Sequence, residues 1–366
     1  MKTDSIKKLF LINYSHPLTS GYKYASEIYD CTSSYSELLN LQYSNRSKNW
    51  KVAAQGTTFK SPVKNVISAN ILFSQFLFRK ARKYILSSSD EKRVVHYTHQ
   101  TLSPFNLDLD RSIVTIHDSP YTALKYGIYN TPRENIADLF SFRIYSYSIK
   151  QNLEKYKKFK HIITTSDYVK NSLVKYGFKN EITTIHPPAA AHFKPIKNKE
   201  KLREELNLPK EKKLLLSVTT DQPRKNLNLI EKLLEHLDQS FQLVRVGKPI
   251  LNSINYSNVD PSTLNKIYNA CDILVMPSLE EGYGYPIAEA MSVGTPVVCS
   301  DIEVFHEICG ESAIYFDPNS VKGFEDAVKT GINDAEVYRY KVLNRSLNFS
   351  HSRFCAEISK YYAERF

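Results

Sequence analysis

Two glutamates in the C-terminal half have the residue type and spacing of a ligand-binding element. Glu281 and Glu289 have seven residues between them, and that interval contains two glycines and Pro286. The apolar run 273–276 before them predicts a strand, and proline is common in the first turn of a helix. A helix N-terminus attracts phosphate, and carboxylates accept hydrogen bonds from hydroxyls. The pattern predicts a pocket for a ligand that carries both groups, with an ordinary acidic helix cap as the alternative.

A pair of cations forms the second candidate site. The apolar run 213–219 predicts a strand that ends at Thr219, and Arg224 and Lys225 follow it in a polar turn. Ligands of open α/β sheets bind beyond the carboxyl ends of the strands. The two cations are therefore placed to neutralise a diphosphate, although a solvated surface pair has the same sequence.

The N-terminal half contains two further candidates. His117 ends the apolar run 112–117, so it should lie at the carboxyl end of a buried strand unless it is a core or capping histidine. Gly21 follows a first strand predicted over 8–13 and could let the backbone approach a phosphate closely. An ordinary turn is the alternative interpretation of Gly21.

Alternating strand and helix patterns position these residues. The pattern predicts an α/β fold with doubly wound parallel sheets, and 366 residues exceed a single core, so two domains are expected. We predict domains over 1–193 and 194–345, followed by a helix over 346–366. The proline-rich segment 186–195 is interpreted as the linker. Further strands are predicted at 93–98, 161–165, 242–246 and 296–300.

The net charge of +11 is divided unevenly along the chain. Residues 1–193 hold 27 lysines and arginines against 14 acids, which gives +13, and residues 194–366 hold 22 against 24, which gives −2. This excess predicts an anionic partner for the N-terminal half, such as a membrane surface, an acidic acceptor or nucleic acid. The segment 64–86 is apolar and then basic, so it is either an interfacial helix or a core helix with a solvated cationic end.

The composition excludes several classes of protein. With 42% hydrophobic and 24% charged residues the chain is globular, and no apolar run reaches the roughly 18–20 residues that span a bilayer. The five cysteines show neither CxxC pairing nor metal-ligand spacing. A reducing cytoplasm is therefore expected, with peripheral attachment to the inner face of the membrane as an open alternative.

Several motifs together resemble the retaining glycosyltransferases of family 4. The resemblance runs nearly end to end and includes the two spaced glutamates and the His117–Asp118 pair. It also includes three further segments, which are Pro223-Arg224-Lys225-Asn226, Gly294-Thr295-Pro296-Val297-Val298 and the run 300–307. It implies the GT-B fold, in which two Rossmann-like domains face each other across a deep cleft and the C-terminal helix crosses back to the N-terminal domain.

The resemblance also implies roles for individual residues. Glu281 would contact hydroxyls of the donor sugar, and Glu289 would contact the ribose of the nucleotide. Lys225, with Arg224 beside it, would bind the diphosphate. His117 would approach the donor sugar from the N-terminal domain. The backbone amides of Gly282, Tyr283 and Gly284 would face the donor phosphates and sugar.

Other positions of the donor site are less well defined. The family often has an arginine at the end of the strand where this chain has Thr219-Thr220, and Arg224 is a candidate replacement. The glycine-rich loop of the N-terminal domain is reduced to Gly21. The nucleobase is expected near Gly247 and Tyr256.

The resemblance implies a hexosyltransferase that uses a UDP- or GDP-linked sugar and retains the anomeric configuration. The acceptor would be a glycan or lipid-linked glycan. No metal is expected, because Asp108-Leu109-Asp110 is the only Asp-x-Asp triplet and is interpreted as a turn. Two alternatives stay open: a noncatalytic protein that binds nucleic acid or another anion, and an epimerase or phosphorylase of the same fold. No nucleic-acid motif appears, so no nucleic-acid partner is expected.

Overall fold

The chain forms two compact units in the computed structural model. The structure describes residues 8–13, 20–44, 49–54, 57–60, 82–83, 85–86, 93–100, 108–126, 147 and 149–366. The N-terminal unit comprises the described residues up to Pro187, together with Ser352–Phe366. The C-terminal unit comprises Pro188–His351.

The boundary between the units lies inside the proline-rich segment, at Pro187–Pro188. It is earlier than residue 193, because the chain beyond Pro188 is already bound to the C-terminal unit. The backbone N–H of Lys194 donates to Asn265 Oδ1 at 3.2 Å, and that of Ile196 donates to Asn269 Oδ1 at 2.7 Å.

The N-terminal unit is built on one sheet of eight strands in the order β4-β3-β2-β1-β5-β6-β7-β8. Strands β2, β1, β5, β6, β7 and β8 run parallel to one another, whereas β3 and β4 are added antiparallel at one edge. The strands are β1 Lys8–Asn13, β2 Ser36–Ser44, β3 Asn49–Ala54, β4 Thr57–Lys60, β5 Arg93–Tyr97, β6 Ser112–Ile116, β7 His161–Thr164 and β8 Glu181–Thr184. The helices that precede or connect them are α1 Ser20–Thr32, α2 Pro120–Tyr126 and α3 Asp167–Lys175.

The C-terminal unit has a fully parallel sheet of six strands in the order β11-β10-β9-β12-β13-β14. The strands are β9 Lys213–Val218, β10 Phe241–Val246, β11 Ser253–Tyr256, β12 Ile273–Met276, β13 Val297–Ser300 and β14 Ala313–Phe316. The helices are α4 Lys199–Glu205, α5 Leu227–His236, α6 Pro261–Ala270, α7 Tyr285–Val293, α8 Glu303–Cys309, α9 Val321–Asn333 and α10 Ala335–Ser346.

The central strands of both sheets are apolar, as is expected when helices cover both faces of a sheet. Every residue of β6, β7, β12 and β13 is buried, so neither face of these strands meets water. In the C-terminal unit, Leu215, Leu243 and Val275 pack with Leu233 of α5 and Phe324 of α9 in one core. The predicted doubly wound α/β architecture is therefore confirmed.

The eight strands predicted from the sequence are present, with ends that differ by at most one residue. Six further strands were not predicted: β2, β3, β4, β8, β11 and β14. Polar residues interrupt most of these strands, as in Glu181–Thr184 and Ser253–Tyr256, so they lack the continuous apolar run that marks a central strand.

The last helix, α11 His351–Arg365, packs on the N-terminal unit, as the family resemblance implies. Its buried face consists of Phe354, Ile358, Tyr361 and Tyr362. The hydroxyl of Tyr362 lies 2.6 Å from Nδ1 of His96, which is on β5. None of the described helices is long and apolar enough to cross a membrane.

A disulfide joins the helices α1 and α11 of the N-terminal unit. Cys31 of α1 is bonded to Cys355 of α11, and 324 positions separate them in the sequence. The cysteine spacing therefore gave no sign of this pair. Cys271, Cys299 and Cys309 are free and buried.

Removing the disulfide should destabilise the protein. A cross-link between distant residues restricts the unfolded chain, so we expect Cys355→Ser to lower the free energy of unfolding by about 2–4 kcal/mol under non-reducing conditions. Urea unfolding of the purified protein measures the change. Wild type in excess dithiothreitol should match the variant, and Cys31→Ser should match it as well. Equal midpoints for the oxidised wild type and Cys355→Ser would contradict the expectation.

Candidate functional site

A buried carboxylate held by two cations is the centre of the candidate site in the C-terminal unit. Glu281 lies between β12 and α7, and its side chain is 6% exposed. Lys225 Nζ donates to Glu281 Oε1 at 2.5 Å, and Arg224 Nη1 donates to Oε2 at 2.7 Å. The hydroxyl of Ser278 donates to Oε1 at 2.8 Å. The sequence elements that carry Glu281 and the cations therefore meet directly.

Backbone contacts hold the two loops of this cluster together. Arg224 and Lys225 lie in a 3₁₀ turn, Pro223–Lys225, shortly after β9. The backbone N–H of Leu279 donates to the Arg224 carbonyl at 2.7 Å, and Arg224 Nη1 donates to the Glu280 carbonyl at 3.0 Å. Because β9 and β12 are neighbouring parallel strands, their carboxyl ends place both loops at the same edge of the sheet.

Glu281 is ionised at neutral pH. Burial alone would raise its pKa, but the charges of Lys225 and Arg224, with hydrogen bonds from Lys225 and Ser278, outweigh burial and lower the pKa to about 2. An ionised carboxylate has no proton to give, so Glu281 can accept hydrogen bonds from hydroxyls but cannot act as a general acid.

The helix that follows Glu281 begins at a glycine that no other residue would replace easily. Gly284 caps α7 with φ +111°, which is in the left-handed region, and a Cβ there would lie 3.1 Å from Phe305 Cε1. Gly282 and Tyr283 before it are buried. The predicted strand–loop–helix geometry is therefore present.

Glu289 lies in the middle of α7 and is 2% exposed. Its Oε2 accepts a hydrogen bond of 2.8 Å from the hydroxyl of Tyr268, which is on α6. The two glutamates therefore occupy different surroundings: cations surround Glu281, whereas a neutral hydroxyl contacts Glu289.

Arg245 is a site residue that the sequence reasoning missed. It lies within β10, is completely buried, and its Nη1 donates to the hydroxyls of Ser217 and Thr219 at 2.9 and 3.1 Å. Its Nη2 donates to the Thr219 carbonyl at 2.9 Å. Burial lowers the pKa of Arg245, although a guanidinium stays protonated at neutral pH. The neighbouring strand β10 thus places an arginine beside Thr219, at the strand end where the family often has an arginine and this chain has a threonine.

Gly247 is required by the same arrangement. Its φ is +149°, and a Cβ there would lie 2.4 Å from the Thr219 carbonyl oxygen. Tyr256, the other residue expected near the nucleobase, is the last residue of β11, and its hydroxyl donates to the Leu206 carbonyl at 2.7 Å. The sequence signal for Arg245 was available, because a charged residue interrupts the apolar run 241–246.

His117 lies in the N-terminal unit, directly after β6, and is buried. Its Nε2 lies 2.7 Å from the Thr98 carbonyl, which can only accept, so Nε2 carries the proton. The ring stacks on His99 with centroids 4.9 Å apart and meets the edge of Tyr24 at 4.8 Å. Burial lowers the pKa of His117, which keeps the imidazole neutral at pH 7.

The remaining predicted features of the N-terminal unit have mixed outcomes. Gly21 is the second residue of α1 and not part of a preceding loop, because the helix begins at Ser20. The triplet 108–110 forms a turn, in which Asp108 Oδ1 accepts from the backbone N–H of Asp110 at 3.0 Å. Most of the basic segment 64–86 lies outside the described residues.

The ionised state of Glu281 predicts a pH dependence of stability. Its pKa is lowered in the folded protein, so its contribution is present above the unfolded pKa of about 4.5 and is lost as the pH falls toward 2. Between pH 5 and pH 2 we expect wild type to lose on the order of 3 kcal/mol more unfolding free energy than Glu281→Gln. Urea titrations at a series of pH values measure the two slopes.

A matched control separates this effect from general acid lability. Glu235→Gln changes an exposed glutamate on α5 and should keep the wild-type pH slope. If Glu281→Gln also kept that slope, the cations would not be holding the carboxylate ionised.

The C-terminal unit matches a known family. Residues 198–342 match the model of "Glycosyl transferases group 1". The O-antigen chain mannosyltransferase RfbU of Salmonella typhimurium is 28% identical over 263 residues, which cover 67% of this chain and 66% of the relative. The chain thus aligns with just under two thirds of that protein. O-antigen chain mannosyltransferase B of Escherichia coli is 24% identical, with 72% of each chain covered.

Solved structures share the fold over almost the whole chain. Sucrose-phosphate synthase from Thermosynechococcus elongatus has a TM-score of 0.72 at 16% identity and covers 98% of both chains. WaaG, a glycosyltransferase involved in lipopolysaccharide biosynthesis, has a TM-score of 0.69 at 14% identity and covers 93% of this chain and 94% of its own. These likenesses show the GT-B fold. The chain therefore has the GT-B fold, and its residues 198–342 match the model of the group 1 glycosyltransferases.

Proposed function

We propose that this protein transfers a mannosyl residue from a nucleotide-diphosphate mannose to a growing glycan or lipid-linked glycan. The family match of the C-terminal unit supports glycosyl transfer, and the two O-antigen chain mannosyltransferases support mannose as the sugar. Mannose is a hexose, so this proposal narrows the hexosyl transfer expected from the sequence.

The observation that carries the proposal is the contact of Glu281 with Lys225 and Arg224. One carboxylate neutralises only one of the two cations, so the cluster keeps a net positive charge that suits a diphosphate. When the nucleotide diphosphate leaves, negative charge develops on its oxygens, and cations already fixed by hydrogen bonds stabilise that charge without reorganising. Lys225 and Arg224 take this role in the proposal.

The two glutamates have separate roles in the proposal. Glu281 accepts hydrogen bonds from hydroxyls of the donor sugar, because it is ionised and lies beside the cations that hold the phosphates. Glu289 holds the ribose, since its buried carboxylate accepts hydrogen bonds from neutral hydroxyls, as it does from the hydroxyl of Tyr268. The amides around Gly282, Tyr283 and Gly284 face the donor near the start of α7.

His117 contributes as a neutral hydrogen-bonding group. Its Nε2–H donates to the Thr98 carbonyl, so Nδ1 is the ring nitrogen that can accept a hydrogen bond from a sugar hydroxyl. Its neutral form avoids adding charge beside an oxocarbenium-like sugar, which would be destabilised by an adjacent cation. The nucleobase would lie near Gly247 and Tyr256.

Substitution of the central cluster should reduce transfer. With GDP-mannose and UDP-linked hexoses as donors, Lys225→Ala and Glu281→Ala should each lower kcat/KM by more than tenfold, which is about 1.4 kcal/mol of transition-state stabilisation. Release of nucleoside diphosphate measures turnover. Lys266→Ala removes an exposed lysine that pairs with Glu205 in the same unit and should leave turnover unchanged. Wild-type rates in Lys225→Ala would exclude the assigned role.

Turnover should be independent of divalent metal and should retain the anomeric configuration. Fixed cations take the place that a metal would have at the leaving diphosphate, so EDTA should change kcat by less than twofold. In a front-face route the leaving phosphate deprotonates the acceptor, and the product keeps the donor's anomeric form. NMR of the first-formed product reads the anomer directly. Strict Mn²⁺ or Mg²⁺ dependence, or an inverted first product, would overturn the mechanism.

A further inference from the structure

A second charged pocket lies in the N-terminal unit, at the amino ends of its central strands. Its cavity volume is about 170 Å³. Arg93 and Ser112, the first residues of β5 and β6, form part of its wall. The complete lining consists of Arg82, Leu86, Arg93, Val95, Asp108, Arg111 and Ser112.

This pocket is separate from the position of His117 in the same unit. Strands β5 and β6 are parallel and start at the pocket, whereas His117 follows the carboxyl end of β6. Five residues at about 3.3 Å each separate the two ends by roughly 16 Å. Because donor ligands of open α/β sheets bind at the carboxyl ends, the fold's usual ligand position does not account for this pocket.

Arg111 is the residue that makes the pocket unusual. Its Nε donates to the Arg93 carbonyl at 3.2 Å, which fixes the guanidinium group. Its Nη2 is buried and has no hydrogen-bond partner among the described residues. Leaving a buried charged donor unsatisfied costs about 1–3 kcal/mol or more, so an acceptor in the pocket would recover that cost.

Two more guanidinium groups face the same space. Arg93 is fixed by a 3.0 Å hydrogen bond from Nη1 to the Ile85 carbonyl, and Arg82 is exposed to solvent. Three arginines line the pocket against one acid, Asp108, one of whose carboxylate oxygens already accepts from its own turn. The pocket therefore carries an excess of positive charge, in the half of the chain that holds all of the protein's net charge.

We propose that these arginines form a binding site for a phosphate group that is distinct from the donor site. The planar forks of arginine match the oxygens of phosphate and bind them in pairs. Leu86, 45% exposed, and Val95 give the pocket an apolar side, so the phosphate belongs to a molecule with an apolar or neutral portion. Either a phospholipid headgroup or a free phosphorylated compound has this chemistry. The proposal does not depend on the proposed transferase activity.

The test measures binding of two probes to the full chain. Isothermal titration with inorganic pyrophosphate should show weakening of one binding event by at least tenfold in Arg111→Gln. Lys225→Ala, which alters the donor site, should leave that event intact. Flotation with phosphatidylglycerol vesicles, compared with phosphatidylcholine vesicles, tests the lipid source.

The variants are chosen so that a folding defect does not imitate the result. Arg82→Gln changes an exposed side chain and should also weaken binding, while Arg111→Lys keeps the charge but loses the fork and should fall between wild type and Arg111→Gln. Arg339→Gln changes a partly exposed arginine of the C-terminal unit and serves as the matched control.

Each outcome decides the question. Loss of pyrophosphate binding alone assigns the site to a free phosphorylated compound, and loss of binding to phosphatidylglycerol vesicles assigns it to a lipid headgroup. If Arg111→Gln and Arg82→Gln bind both probes as wild type does, the proposal is overturned.

Discussion

The contact between one buried carboxylate and two cations constrains the C-terminal unit more than any other interaction. Removing a carboxylate from water costs several kcal/mol, and breaking one partner of such a cluster leaves a charge buried without compensation. Glu281 is stable in its position only if Arg224 and Lys225 reach it. The loops after β9 and β12 must therefore stay together, and the hydrogen bond from Leu279 to the Arg224 carbonyl holds them so. The two cations are consequently held in fixed positions by contacts within the protein.

The sequence predicted those parts of this site that depend on residues close together in the chain. The spacing of Glu281, Pro286 and Glu289 predicted a loop followed by a helix, because proline and glycine have strong positional preferences at helix starts. The pairing of Glu281 with Lys225 was not visible, because 56 positions separate them and nothing local relates their side chains. The sequence therefore led to two independent predictions, a contact of Glu281 with the sugar and a contact of Lys225 with the diphosphate.

Arg245 shows a different reason why part of the site was missed. The family pattern drew attention to the end of β9, where Thr219 stands in place of an arginine. The fold places an arginine at Thr219 from the adjacent strand β10, in parallel register with β9. A buried charge within a strand must find hydrogen-bond acceptors nearby, so Arg245 itself was the signal. The Cys31–Cys355 bond was not predicted because 324 positions separate the two cysteines, and sequence spacing carries no information about contacts over such a separation.

The distribution of charge explains why local clusters matter more here than the protein's overall field. Residues 194–366, which include the cluster of Glu281, Arg224 and Lys225 in the proposed donor site, have a net charge of −2, so long-range attraction would not bring an anionic donor to them. In the proposed donor site, binding would therefore depend on the cations that Glu281 holds at fixed positions. The surplus of +13 belongs to residues 1–193, the half of the chain in which a buried nitrogen of Arg111 has no hydrogen-bond partner among the described residues. Positive charges on solvated lysines are stabilised by water alone. A guanidinium fixed in a pocket is stabilised further by an anion whose shape matches its donors. The two halves therefore hold positive charge in different ways: one pairs it with an acid, and the other places it where we propose that a phosphate binds.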